Sequence, residues 1–231
     1  TFEQSITNTF EKVENIEIWG WNGAIRGMRN PKNSWSRSDS EWIYDSDDGE
    51  ATIILGPNDL KLMKALTKAG TDHRKFLRML HIQLDITAPL YWWKDFDTYR
   101  IGRTDGLDTS NGCSTMHMIH TEPFKFDMFS REDLDPIGLN ILESIINYLE
   151  FNRKLYNDTH ENIYWRRIIQ MLGTNYEQKR TIDMTYETAL RIICSREMHK
   201  LVEFRELCKT LLYEVPYLAI YHEVLKGKGE E

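Results

Sequence analysis

The sequence predicts an α+β fold with a helix-rich C-terminal half, and three stretches carry that prediction. Residues 80–86 alternate strictly, with Leu80, Ile82, Leu84 and Ile86 facing one way and His81, Gln83 and Asp85 the other. That is the period-two signature of a strand with one buried face. Ala51 to Leu55 is a short apolar run that ends at Gly56-Pro57 and leads into a helical pattern, a strand-turn-helix unit. Beyond Asp135, apolar residues recur three and four apart through most of the remaining chain, the period of helices with one buried stripe.

Taken in order, the segment from Asn30 to Asp48 is rich in Ser, Asn and Asp and reads as a loop, pinned by Trp35, Trp42 and Tyr44. After the 51–55 strand, a helix capped near Asn58 or Asp59 carries Leu60, Met63 and Leu66 on one side and stops at Gly70. The 80–86 strand runs into Ala88-Pro89, and a helix is expected after the proline, its aromatic side packed inward. Lys94 and Arg100 remain there as candidate anion contacts. An aromatic core helix with solvated charges explains the same residues, and spacing favours it.

Asp135 caps a helix opened by Pro136, which has no N–H to leave unpaired; Leu142, Ile145, Ile146 and Leu149 are its buried stripe, and it ends near Asn157. A second helix is expected from Asp158, with Glu161 completing a capping box, to Gly173. A third is split, Thr185 to Arg196 and then Glu197 to Val215, with Pro216 as the stop.

The chain has 231 residues, 41% apolar and 12% aromatic, enough for a sizeable core, and it is expected to form a single domain over 1–231 with a loose tail from about Lys226. No apolar run approaches the roughly 20 residues of a membrane helix. The N-terminal residues lack a basic-then-apolar leader, so a cytoplasmic location is expected. A formal charge of −7, from 29 basic and 36 acidic residues, argues against a general nucleic-acid partner, whose phosphates need a basic face. A small anionic ligand needs only a few converging arginines.

Cys113, Cys194 and Cys208 are odd in number and widely spaced, which points to reduced thiols and not to a zinc site. His117 and His120, three apart on what reads as an extended segment, would point to opposite faces; no metal site is expected. Dinucleotide-binding glycine fingerprints, phosphate loops, nucleophile elbows and zinc-protease motifs are all missing from the sequence.

The stretch Ala88-Pro89, the following helix and Arg100 resembles the hallmark of the flavin-dependent thymidylate synthases, in which Ala-Pro and a helix precede Arg-His-Arg-x-x-Ser. Thr98 and Tyr99 stand where that motif has arginine and histidine, and Ser110-Asn111-Gly112-Cys113-Ser114-Thr115 is loosely similar to its continuation. Ala24-Ile25-Arg26-Gly27-Met28-Arg29 resembles an early Ala-x-Arg-x-x-Arg segment. Gly70-Thr71-Asp72-His73 is similar to a Gly-His stretch near the flavin. Tyr164-Trp165-Arg166-Arg167-Ile168-Ile169 resembles a phosphate-binding arginine helix, and Leu190 to Arg196 looks like Leu-x-x-Phe-Leu-x-x-Arg, with Arg191 where asparagine is usual.

The resemblance implies a central, mostly antiparallel sheet flanked by helices and a homotetramer. It also implies reductive methylation of dUMP or a related pyrimidine nucleotide, with FAD as cofactor and NADPH and methylenetetrahydrofolate as co-substrates. By the same resemblance Arg196 is the catalytic candidate, gripping the uracil base; Arg167, Arg196, Arg100 and Ser114 are substrate-binding candidates; and His73, Lys94, Arg100 and Arg191 are cofactor-binding candidates. A guanidinium suits polarisation of pyrimidine carbonyls because it donates in its plane and stays charged. Two other readings stay open: a protein of the same fold that binds a nucleotide or a partner without catalysis, and a flavoenzyme acting on another pyrimidine.

Overall fold

The computed structural model describes residues 12–44, 51–99 and 109–227; Arg100 and residues 101–108 after it, together with the expected loose ends before 12 and after 227, lie outside the described residues. In chain order the elements are β1 (Val13–Trp19), α1 (Trp21–Arg29), β2 (Glu41–Tyr44), β3 (Ala51–Ile54), α2 (Pro57–Ala69), β4 (His81–Pro89), α3 (Leu90–Phe96), β5 (Thr109–Gly112), α4 (Thr115–Met118), α5 (Pro136–Thr159), α6 (Asn162–Met171), β6 (Glu177–Thr185), α7 (Tyr186–Arg196), α8 (Val202–Glu214) and α9 (Leu218–Lys226). A four-stranded antiparallel sheet has the order β1-β4-β6-β5, and β2 and β3 form a separate antiparallel pair in which Glu41 faces Ile54. The α+β class and the antiparallel central sheet are as expected.

The described residues divide into two compact units. One contains 12–44, 51–84, 109 and 182–227; the other contains 85–99 and 110–181. The backbone passes from one to the other inside β4, between Leu84 and Asp85, and inside β6, between Thr181 and Ile182.

In the first unit, Leu80, Ile82 and Leu84 are buried, as their alternation requires. They belong to a core with Ile182, Met184, Tyr186, Ile192 and Ile193, to which α8 adds Phe204, Leu207 and Leu211 and α9 adds Leu218 and Tyr221. Strand β1 leads into α1 through Gly20, whose φ of 102° only glycine adopts freely; a Cβ there would lie 1.9 Å from the carbonyl oxygen of Met79. The 30–48 loop contains β2; Trp42 ties it to α1 as expected, Nε1 donating to Asn22 Oδ1, whereas Trp35 is half exposed and donates to Asn30 Oδ1 within the loop itself, both at 2.8 Å.

Buried charge holds α1, the loop and α2 together. Asp59, fully buried in the first turn of α2, accepts from Arg29 Nε at 2.6 Å, from Ser38 Oγ at 2.7 Å and Ser40 Oγ at 2.8 Å, and from the amides of Asp39 and Ser40 at 3.1 Å. The Asp39 carboxylate in turn receives the amides of Asn58 and Asp59, so it does the capping expected of those two residues, and α2 begins at Pro57. Burial pushes the Asp59 carboxyl up, but its hydrogen bonds from Ser38, Ser40 and Arg29 outweigh that and hold it below the usual carboxylate range.

In the second unit, α5 and α6 pack against Ile119, Phe124 and Phe129 through Leu142, Ile146, Leu149 and Ile168. Asp135 caps α5, accepting the Gly138 amide at 2.7 Å, as the sequence predicts. The boundary between α5 and α6 differs from expectation. Asp158 lies in the last turn of α5, His160 takes the left-handed conformation that closes it at φ 58°, and Glu161 occupies the N-cap position of α6 without a side-chain cap. His117 sits in the short helix α4, not in an extended segment.

Candidate functional site

Strand β4 ends at Pro89, and α3 follows at once because proline can open a helix but cannot continue a strand ladder. Trp92, Trp93 and Phe96 are fully buried, Trp92 and Phe96 stacking at 4.6 Å, so the aromatic side of α3 is core as the spacing indicates. Lys94 projects from the opposite, exposed side. Trp93 Nε1 donates to the Gln178 carbonyl at 2.9 Å, and the Arg180 guanidinium lies 4.4 Å over its ring while Nη1 binds both Asp97 oxygens at 3.1 Å. At the hallmark positions, Thr98 Oγ1 donates to the Asp95 carbonyl at 2.7 Å and Tyr99 packs near Phe96 in a 3-10 turn. Arg100 is outside the described residues.

Ser114 is the N-cap of α4. Its Oγ accepts the His117 amide at 3.0 Å and lies 2.8 Å from His117 Nδ1. It lines a cleft of about 360 Å³ with Cys113, Met118, Tyr176 and Lys179; Lys94 and Arg167 stand outside that lining. Burial pushes the Tyr176 phenol up, and a thiolate at Cys113 would add to that. Hydroxyl, thiol and ammonium groups therefore share one opening with the carboxylates of Glu122 and Glu177, with room for a polar ligand. Arg167 is exposed on α6, its guanidinium 5.4 Å from the Tyr164 ring, and the next-door Trp165 donates from Nε1 to the Met116 carbonyl at 3.0 Å, tying α6 to the helix that Ser114 caps.

In the first unit the predicted residues gather around α7, which Thr185 caps through the Thr188 amide. Glu187, 5% exposed in its first turn, receives Arg74 Nε at 2.9 Å and Nη2 at 2.8 Å on a single carboxylate oxygen, Oε1. Its Oε2 is buried without a hydrogen-bond donor. The turn that presents exposed His73 is thereby pinned to α7, since Arg74 follows it directly and both amides bond back to the Gly70 carbonyl.

Arg191 is one helical turn beyond Glu187 on the same side of α7. Arg196 is five residues further, so it leaves the helix about 140° around from Arg191. It occupies the last helical position, where the helix dipole favours a cation, and lies 5.0 Å over the Phe204 ring. The turn carrying His73 is thus held at the start of α7, Arg191 stands at its middle and Arg196 at its end.

Sequence reading missed Arg74 and Glu187, which are 113 residues apart; the one local signal was the four-residue spacing of Glu187 and Arg191. Among the described residues, no group of histidine, cysteine or acidic side chains can hold a metal ion. No helix among them is long and apolar enough to cross a membrane.

No protein-family model matches the sequence, and no curated protein matches it. Solved structures do match in shape. A flavin-dependent thymidylate synthase from Helicobacter pylori, complexed with FAD and dUMP, aligns over 92% of this chain and 99% of its own, with a TM-score of 0.63 and 16% identity. A second structure of the Helicobacter pylori enzyme with FAD and dUMP, at 2.31 Å resolution, gives a TM-score of 0.64 over 93% and 99%, again at 16% identity. The chain has the fold of these enzymes.

Proposed function

We propose that this chain is a flavoprotein of the flavin-dependent thymidylate synthase type, methylating dUMP or a related pyrimidine nucleotide. One observation carries the proposal: the fold agrees over almost the whole of both chains with structures that hold FAD and dUMP together. The reaction takes one carbon from methylenetetrahydrofolate and reduces it to a methyl group on the uracil ring, NADPH being the reductant. FAD, when bound, supplies the hydride relay between them.

The chain's own residues suit the anionic groups involved. Arg196 donates to the uracil carbonyls, drawing electron density from the ring. Arg167 meets the nucleotide phosphate, with Arg100 and Ser114 as further contacts. His73, Lys94, Arg100 and Arg191 neutralise the cofactor pyrophosphate or contact its ring. The orphaned Glu187 Oε2 fits a ligand N–H or hydroxyl, because a buried acceptor without a donor costs about 1–3 kcal/mol until something fills it. We also read the whole chain as one domain, since the backbone runs from one unit to the other within two strands, and place it as a homotetramer in the cytoplasm.

The test is direct. Purified protein with added FAD is expected to retain a flavin absorbance band through gel filtration, and to release tritium from ring-labelled dUMP when folate and NADPH are present. A colourless protein overturns the proposal. Arg196→Ala is expected to lose about 10²–10³ in turnover, the usual cost of one donor to a developing negative charge; full turnover by that variant removes Arg196 from the reaction.

The turn at Thr98-Tyr99 favours a second reading, in which the protein binds nucleotide and flavin without turnover. Those side chains already have partners within their own segment where the resemblance expects arginine and histidine. Flavin retention and dUMP binding without tritium release is its signature.

A further inference from the structure

Glu187 has more hydrogen-bonding capacity than its own chain uses. Its side chain is only 6% exposed in the first turn of α7, and both donors of Arg74, Nε at 2.9 Å and Nη2 at 2.8 Å, fall on Oε1. A guanidinium fork normally spreads two parallel N–H groups over both oxygens of a carboxylate. Here Oε2 is left buried with no donor. The donors beside it in sequence are committed elsewhere: the Tyr186 amide to the Leu80 carbonyl at 3.0 Å, the Thr188 amide to Thr185 Oγ1 at 3.3 Å, and the Tyr186 hydroxyl to the Pro216 carbonyl at 3.1 Å.

We infer that Glu187 Oε2 accepts the N–H of a cyclic imide, the ring edge in which one N–H stands between two carbonyls. Two arguments select that chemistry. Arg74 already neutralises the carboxylate, and Arg191 adds a positive charge one turn along the same side of α7, so a cationic ligand is repelled and the missing donor is a neutral one. The guanidinium of Arg191 can only donate. An imide answers it with a carbonyl adjoining the N–H that answers Glu187, whereas a hydroxyl must serve both groups with one oxygen.

Uracil and the flavin ring both carry this edge, so the inference rests on the function proposed above and adds to it the residue that selects the ring. A ring alkylated at that nitrogen, or one whose nitrogen is an acceptor there, leaves Oε2 buried and unsatisfied. The two oxygens of Glu187 thus divide their tasks: Oε1 holds the turn that carries His73, and Oε2 discriminates between ligands.

The test uses the full chain and pairs of ligands that differ at one ring nitrogen: FAD against 3-methyl-FAD and, with FAD present, dUMP against 3-methyl-dUMP, each titrated by calorimetry. On the unaltered protein at least one pair should separate by at least about 10-fold in Kd, the effect of depriving a buried acceptor of its donor. Glu187→Gln keeps an oxygen for Arg74 and puts a donor in place of Oε2. It should therefore weaken the unmethylated ring by at least about 10-fold while leaving its methylated partner unchanged, with an unaltered circular dichroism spectrum. The pair in which the separation collapses identifies the occupant.

A carboxylate that served only to hold Arg74 would weaken both members of a pair alike in the variant, and that result overturns the inference. So does binding of FAD and dUMP with no discrimination at the ring nitrogen, a comparison that needs no variant and stands even where Glu187→Gln fails to fold. If neither FAD nor dUMP binds, the proposed function falls and the inference with it; binding without discrimination sinks the inference alone.

Discussion

Replacing Asp59 by alanine tests whether buried charge or apolar packing organises the first unit. The carboxylate is fully buried and accepts five hydrogen bonds, two of them from backbone amides. Removing it strands the Arg29 guanidinium, 3% exposed, whose remaining bond is Nη1 to the Ser34 carbonyl at 3.1 Å. Breaking a buried pair by deleting one partner costs about 3–5 kcal/mol. For a chain of this size that lowers the melting temperature by roughly 6–20 °C.

The assay is urea unfolding followed by tryptophan fluorescence, repeated from pH 7 down to pH 3. Because the folded-state pKa of Asp59 is depressed, its contribution is complete above the unfolded value near pH 4 and is lost as pH falls through the folded value. The gap between parent and variant must therefore close in acid. A loss under about 1 kcal/mol at pH 7, or a gap that persists unchanged at pH 3, would falsify the assignment.

Three further outcomes follow. Burial holds His222 below the usual histidine range, with Glu197 pulling the other way; the unfolded chain then binds more protons near pH 6, so stability rises from pH 5 to 7, and His222→Gln should flatten that rise in thermal melts. Gly20→Ala should cost at least about 1–3 kcal/mol in the same melts, since the new Cβ meets backbone and the residue sits at positive φ. Asp135→Ala should cost about 1 kcal/mol by removing the α5 cap, measured by denaturant unfolding.

Strand β4 and helices α2, α5 and α7 were legible because each combines a clear period with a recognisable start or stop, such as Asp135-Pro136 or Gly70. Strand β6 was not, because Glu177 to Thr181 is polar on both faces and has no apolar alternation to mark it. It is a strand because Trp93 takes the Arg180 guanidinium over its ring on one side, while Asp85 takes Lys179 and Thr181 on the other. Helix α1 was hidden by Gly23 and Gly27, which lower helix propensity but lie against the Met79 side chain, where larger residues would not fit. Of the candidate site, the order of the arginines along the chain was readable. The Arg74–Glu187 pair was not, since no local pattern links residues 113 positions apart.

The passage of the backbone between units inside β4 and β6 limits how their roles can be dissected genetically. Neither unit corresponds to one uninterrupted piece of coding sequence, and excising either severs strands midway along their ladders. Truncation libraries will therefore report on folding and say little about which half binds what; assigning roles to the halves falls to point substitutions made in the full-length protein.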